Sequence, residues 1–262
     1  GTVEAVGPAV TRFAPGQRVF GMLDYVRRPG CYAELALFRD DELAPAPPAL
    51  GDAALASLPL VSLTAWLALV EAGRLGRGGR VLVHGGAGGI GSVAVPIAKA
   101  RGAREVVVTA SAASAAACLA RGADRVLDRA DPAAFRAPDL GRFDVILDAV
   151  GGYYPRTVGL LAPGGTFVTI TSLADDDAYT FGNFVRHLGR VVWTRLAGAF
   201  GGPRVRSVGV RPNAGHLRAI ADLIERGALP PPAVEALPLS AAAEAHRRIE
   251  TRRTRGKLVL VP

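Results

Sequence analysis

Residues 85–91 read Gly-Gly-Ala-Gly-Gly-Ile-Gly, five glycines in seven positions, and the hydrophobic period changes across them. Val81, Leu82 and Val83 before them form a short aliphatic run of the kind that makes a buried parallel strand. Ile90, Val93, Ala94, Ile97 and Ala98 then recur at helical spacing. The hinge between strand and helix therefore carries a G-x-G-x-x-G at Gly86, Gly88 and Gly91. In that setting Gly86 permits a tight turn, Gly88 lets a pyrophosphate approach the backbone, and Gly91 lets the helix pack on the strand. The helix N-terminus adds N–H groups and partial positive charge for the anion. A plain glycine-rich turn is the competing reading, and the strand-turn-helix setting favours a dinucleotide site.

The end of the next strand, Val106-Val107-Val108-Thr109, distinguishes the two nicotinamide dinucleotides. About 20 residues past the glycines an NAD site places an Asp or Glu on the ribose 2′-OH. This chain has Ala110, Ser111, Ala112, Ala113 and Ser114 there. No acid repels a 2′-phosphate, and Ser111 can donate a hydrogen bond to one, so NADPH is favoured over NADH. Arg129, just past the third strand, could supply the missing cation. Ser111 and Ser114 read equally well as helix-capping residues.

The remaining pattern alternates strand and helix: strands at 125–127, 144–148 and 166–170, helices at 112–121 and 155–161, with the Pro-Gly-Gly of 163–165 as a stop before the last strand. This is the pattern of an α/β protein with a doubly wound parallel sheet, whose ligands bind beyond the carboxyl ends of the strands. The loops Ala149-Val150-Gly151-Gly152 and Thr171-Ser172-Leu173 should line that groove. Residues 1–50 read instead as β-rich, with short alternating runs at 3–6 and 32–36. The tail reads as a helix at 216–226, a proline break at 230–232, a helix at 240–250 and a strand at 257–261.

The net charge of +8 raises nucleic-acid binding. The excess is arginine scattered along the chain, and its densest run, 246–257, is interrupted by Glu250, which reads as a solvated helix face. Cys31 and Cys118 are far apart in sequence, so no disulfide is expected, in keeping with a reducing cytoplasm. No run reaches the ~18 apolar residues of a membrane span. The chain opens on Gly1 in the middle of a pattern and reads as a fragment.

In order, "GTVEAVGPAVTRFAPGQRVFGML", "GCYAEL", "LPLVSLTAW", "VLVHGGAGGIG", "LDAVGG", "LAPGG" and "AAEAHRRIETRRTRGKLVL" resemble the quinone oxidoreductase branch of the medium-chain dehydrogenase/reductase superfamily across essentially the whole chain. The resemblance implies a Rossmann NADP-binding domain at 59–212 and a partial GroES-like β domain at 1–58, to which 213–262 returns. It implies an NADPH-dependent homodimer acting on a small quinone or α,β-unsaturated carbonyl. The family's cofactor contacts fall on Thr64, on Gly86, Gly88, Gly89, Ile90 and Gly91 at the pyrophosphate, and on Ser111 and Arg129 at the adenosine end. Val150, Gly151, Thr171, Ser172 and Leu173 fall near the nicotinamide ribose. Two positions depart from the family: Ser114 stands where a Lys is common, and Gln17 where an Asp is usual. Relatives also carry residues before the position of Gly1, including part of the substrate cleft.

Zinc-dependent relatives place a Cys four residues before Thr64, where this chain has Leu60, and their zinc lobe needs four cysteines where only Cys31 stands. No catalytic zinc is therefore expected. Conjugated acceptors take hydride without a metal. His84 reads as structural, and His187, His216 and His246 lie on expected helices. Tyr25, in a glycine-flanked loop, is either a proton donor or an aromatic cover for the cleft, and Trp66 reads as core. The alternatives in function are an enoyl reductase acting on an acyl thioester, as in polyketide synthases, and an impaired NADPH-binding remnant. Residues 205–210 read as an edge strand that either is guarded by Arg204 and Arg206 or, as the resemblance implies, pairs with its two-fold mate. Pro at Val208 is expected to remove a donor from that pairing.

Overall fold

The computed structural model describes residues 1–25, 27–28, 30–170, 202–251, 254 and 256–262. The chain divides into two units, Gly1–Leu63 with Val210–Pro262, and Thr64–Gly209. Their limits fall at 63/64 and 209/210, where the sequence reading places them at 58/59 and 212/213.

In the first unit β1 (Val19–Gly21) pairs antiparallel with β2 (Leu43–Pro45). The alternating runs at 3–6 and 32–36 are not strands. A single bridge joins Thr2 to Arg18, and residues 32–35 are bends. Alternation makes a strand only where a neighbour takes its backbone groups, and Leu35 and Leu37 lie 73% and 83% exposed.

The second unit is built on β3 (Arg80–His84), β4 (Glu105–Ala110), β5 (Arg125–Asp128), β6 (Phe143–Asp148), β7 (Leu161–Thr169) and β8 (Arg204–Ser207). All run parallel, in the order β5-β4-β3-β6-β7-β8. β3, β4 and β6 are buried on both faces, as their continuous Val, Leu and Ile runs require. One core cluster joins Leu82, Val107, Ile146 and Phe167 to Phe135, Leu140 and Phe143. The Pro-Gly-Gly expected to stop a helix lies inside β7. Leu161 already pairs with Phe143, and the ladder resumes at Thr166 opposite Val145, so residues 162–165 bulge out of register. Gly164, at φ +75°, takes the conformation that this excursion needs.

The helix Gly91–Ala100 is buried from Gly91 to Ala98 and contains Pro96. Pro96 has no N–H for the carbonyl four residues back, that of Ser92. Arg121 supplies the donor: its Nη1 lies 3.1 Å from the Ser92 oxygen. Burial holds the Arg121 guanidinium below its ordinary pKa. At the amino end of β3, Arg80 ties three strands together. Its Nε donates to Glu105 at 2.6 Å, Nη1 and Nη2 reach the carbonyls of Arg142 and Leu140, and the guanidinium lies over the Phe143 ring.

The tail returns to the first unit. The helix Ala214–Glu225 begins two residues before the expected start, because the Asn213 side chain accepts the His216 amide and caps it. β9 (Val234–Pro238), missing from the sequence reading, pairs parallel with β10 (Lys257–Val261). Trp66, read as core, is only half-buried, with the Arg101 guanidinium 5.7 Å from its ring centre.

Candidate functional site

In the order β5-β4-β3-β6-β7-β8 the direction of winding reverses between β3 and β6. A crevice beyond the carboxyl ends of those two strands is where such sheets take ligands. Both strands end on buried polar residues. Thr109, His84, Asp148 and Thr169 pair in register across β4, β3, β6 and β7, each 2% exposed or less.

The glycine-rich loop follows His84. The positive-φ turn belongs to Gly85 (φ +81°), not to Gly86 as the fingerprint suggested. A Cβ on Gly85 would stand 2.6 Å from Val150 Cγ2, and one on Gly86 would stand 2.6 Å from Val108 Cβ, so Gly86 instead lets the loop descend onto β4. A Cβ on Gly91 would collide with the Gly85 carbonyl and the Gly86 Cα. Gly91 thus seats the helix on the loop itself rather than on the strand. The Gly88 amide is given to Gly85, and that of Ser92 to Gly88. Among the described residues, the amides of Gly89, Ile90 and Gly91 have no hydrogen-bond partner. They cluster where the helix begins, beside the exposed Gly88. Such a cradle suits a diphosphate: donors are present, the helix dipole favours negative charge, and among the described residues a Cβ on Gly88 would meet only the Gly85 carbonyl within 4 Å.

The loop after β6 is fixed by Asp148. Its Oδ1 accepts the amides of Val150 (3.1 Å) and Gly151 (2.8 Å), and Oδ2 that of Tyr153 (3.1 Å). Gly151 and Gly152 follow at φ +102° and +79°, which L side chains rarely adopt. Val150 stands 57% exposed, with its Cγ2 over Gly85. The glycine-rich loop and the 149–152 loop are therefore side by side, while the second loop expected to line the groove, Thr171–Leu173, lies outside the described residues.

His84 closes the floor. Thr157 Oγ1 donates to the Tyr153 carbonyl at 2.8 Å, so it can only accept from His84 Nε2, 3.2 Å away. Thr109 Oγ1 accepts the Gly85 amide and directs its proton toward His84 Nδ1, 3.4 Å away. This bookkeeping selects the neutral Nε2–H ring. Burial lowers its pKa to about 3. His84 is thus a structural residue, not an acid or base.

At the end of β4, Ser111 opens a short 3₁₀ turn without capping it through its side chain. Its Oγ instead donates to Ser114 Oγ at 3.2 Å, and neither hydroxyl caps the helix Ala115–Ala120. The Arg129 amide donates to the Ala110 carbonyl, which starts the exposed Arg129 beside the two serines. Thr64 is 5% exposed on the helix Pro59–Trp66. Tyr25 belongs to the first unit and is 52% exposed. Thr171, Ser172, Leu173 and His187 lie outside the described residues. Cys31 and Cys118 are unpaired thiols, raised above their ordinary pKa by burial. Among the described residues no group of three or more His, Cys, Asp or Glu side chains could hold a metal ion. None of their helices is long and apolar enough to cross a membrane. Sequence reasoning missed Asp148; the signal was an Asp three residues before Gly151 and Gly152 at a strand end.

A parallel sheet of this order with a glycine-rich loop over its switch point defines a dinucleotide-binding fold of the Rossmann type. A family profile described as zinc-binding dehydrogenase matches residues 121–260. The chain is 31% identical over 282 residues to "NAD(P)H oxidoreductase RTN4IP1, mitochondrial" of Danio rerio, spanning 99% of this chain and 70% of that protein. It is 35% identical over 269 residues to "Spectinabilin polyketide synthase system protein NorB" of Streptomyces orinoci, spanning 99% of this chain but 11% of that protein. The solved quinone oxidoreductase from Coxiella burnetii superimposes with a TM-score of 0.78 at 27% identity, over 99% of this chain and 76% of that one. The chain belongs to the medium-chain dehydrogenase/reductase superfamily.

Proposed function

We propose that this chain binds NADPH and serves a zinc-independent reductase that delivers hydride to a quinone or an α,β-unsaturated carbonyl. The observation that carries the reading is the pairing of the amide cradle at Gly89–Gly91 with an acid-free end of β4. There the Ser111 hydroxyl donates to that of Ser114, and the Arg129 amide donates to the neighbouring Ala110 carbonyl, a set of residues proposed for a 2′-phosphate. The cradle fits the diphosphate, and the loop of Val150 and Gly151, with Thr64, is proposed for the nicotinamide end. Nicotinamide, when bound, supplies the hydride. The donor of the balancing proton is not assigned; Tyr25 stands from the sequence as either that donor or an aromatic cover. Leu60, where zinc-dependent relatives carry a Cys, supports activation of the acceptor by hydrogen bonding and placement rather than by a Lewis acid. The two unpaired cysteines suit the reducing cytoplasm.

A second reading, an enoyl reductase acting on a carrier- or CoA-bound thioester, is favoured by the 35% identity to NorB, a polyketide synthase system protein. Steady-state NADPH oxidation separates the two. Turnover with 9,10-phenanthrenequinone but not crotonyl-CoA supports the first, and the reverse supports the second. Turnover of neither, with NADPH still bound, identifies an impaired NADPH-binding remnant.

A further inference from the structure

Asp148 is a buried carboxylate, 2% exposed, at the carboxyl end of β6, and its partners are backbone amides of the five residues that follow it. Two oxygens take three N–H groups, an arrangement that only an acceptor on both sides can satisfy. The segment so held is fixed a second time from β3. The Tyr153 ring lies on His84 with centroids 4.0 Å apart, and the Tyr153 carbonyl takes the hydroxyl of Thr157, itself bonded to His84. Between these two anchors Val150 is left exposed above Gly85, and Gly151 is held at a positive φ. Nothing in this arrangement serves the sheet ladder, whose register is complete at Asp148. Its product is the shape of the loop alone.

We infer that Asp148 is a positioning residue for the nicotinamide half of the cofactor: it holds the Val150–Gly151 backbone in the one conformation that receives that half, without touching it. This rests on the NADPH reading above. It separates the two ends of the site. The adenosine end is formed by Ser111, Ser114 and Arg129 beyond β4 and draws nothing from Asp148. The charge matters as well as the shape, because an Asn sets its NH₂ either against the Tyr153 amide or, turned over, against those of Val150 and Gly151, so neither orientation holds the whole segment.

The test compares NADPH with 2′,5′-ADP, which carries the 2′-phosphate and adenosine but no nicotinamide, in calorimetric titrations of the full chain and of D148N. The NADPH dissociation constant should rise at least tenfold in D148N, while that of 2′,5′-ADP stays within twofold. Equal weakening of both, or of neither, overturns the inference. A wild-type chain that binds neither contradicts the NADPH reading itself. Hydrogen exchange on the wild-type chain without nucleotide needs no variant: the amides of Val150, Gly151 and Tyr153 should be protected. Free exchange at all three would also overturn the assignment.

Discussion

The His84 imidazole lies face to face on the Tyr153 ring, 4.0 Å between centroids and 13° from parallel. That contact joins the end of β3 to the loop after β6 and requires the neutral ring, since burial holds the His84 pKa at about 3. A folded-state value below the unfolded one favours the deprotonated form on folding. The resulting stability is full above about pH 6.5 and drains as pH falls toward about 3. Its slope is at most about 1.4 kcal/mol per pH unit. Urea unfolding at several pH values should show that slope in the native chain and lose this component in H84Q. Parallel profiles for the two proteins would show that His84 is not the group involved.

Arg121 and Pro96 should be energetically coupled. Removing the guanidinium leaves the Ser92 carbonyl without the donor that Pro96 cannot offer, a loss of about 1–3 kcal/mol. In a Pro96→Ala background the helix regains its own N–H, so Arg121→Ala should cost at least about 1 kcal/mol less there. A double-mutant cycle by chemical denaturation reads this coupling directly. Strict additivity would mean that Arg121 stabilises the chain by some other contact.

The Rossmann sheet was legible because each of its strands carries its own signal. Val81–Val83, Val106–Val108 and Val145–Leu147 are continuous apolar runs, and continuous runs mark strands buried on both faces. The glycine fingerprint was legible as a set but not glycine by glycine. Which of Gly85 and Gly86 turns the chain depends on Val108 and Val150, which are distant in sequence. The runs at 3–6 and 32–36 failed because alternation reports half-burial and cannot report whether a partner strand exists. β9 was hidden by Pro238, by the prolines at 230–232 just before it, and by Glu235, which the Arg248 guanidinium pairs at 2.5 Å. Asp148 was missed because its work is done on backbone amides, whose only trace in the sequence is an Asp shortly before two glycines at a strand end.

β8 is the edge of the sheet, paired only with β7 among the described strands. It is proposed to pair with its two-fold mate and extend one sheet across a homodimer. The Val208 amide, chosen from sequence as the donor to remove, is given inward to the Thr169 carbonyl at 3.0 Å. By alternation the outward donors are Val205 and Ser207, and Val205 packs on the core cluster. Ser207→Pro should therefore dissociate the dimer with little loss of fold. Sedimentation velocity at micromolar concentration reads the outcome. A native chain that is already monomeric would leave Arg204 and Arg206 as guards of an unpaired edge.

The groove at the ends of β3, β4 and β6 is proposed to be an NADPH site selected at Ser111. Isothermal titration of NADPH and NADH into the native chain and into Ser111→Asp tests it most directly. The native chain should bind NADPH at least tenfold more tightly, and the introduced carboxylate should reverse the order by repelling the 2′-phosphate. Equal affinities in the native chain, or a preference that Ser111→Asp leaves unchanged, would contradict it.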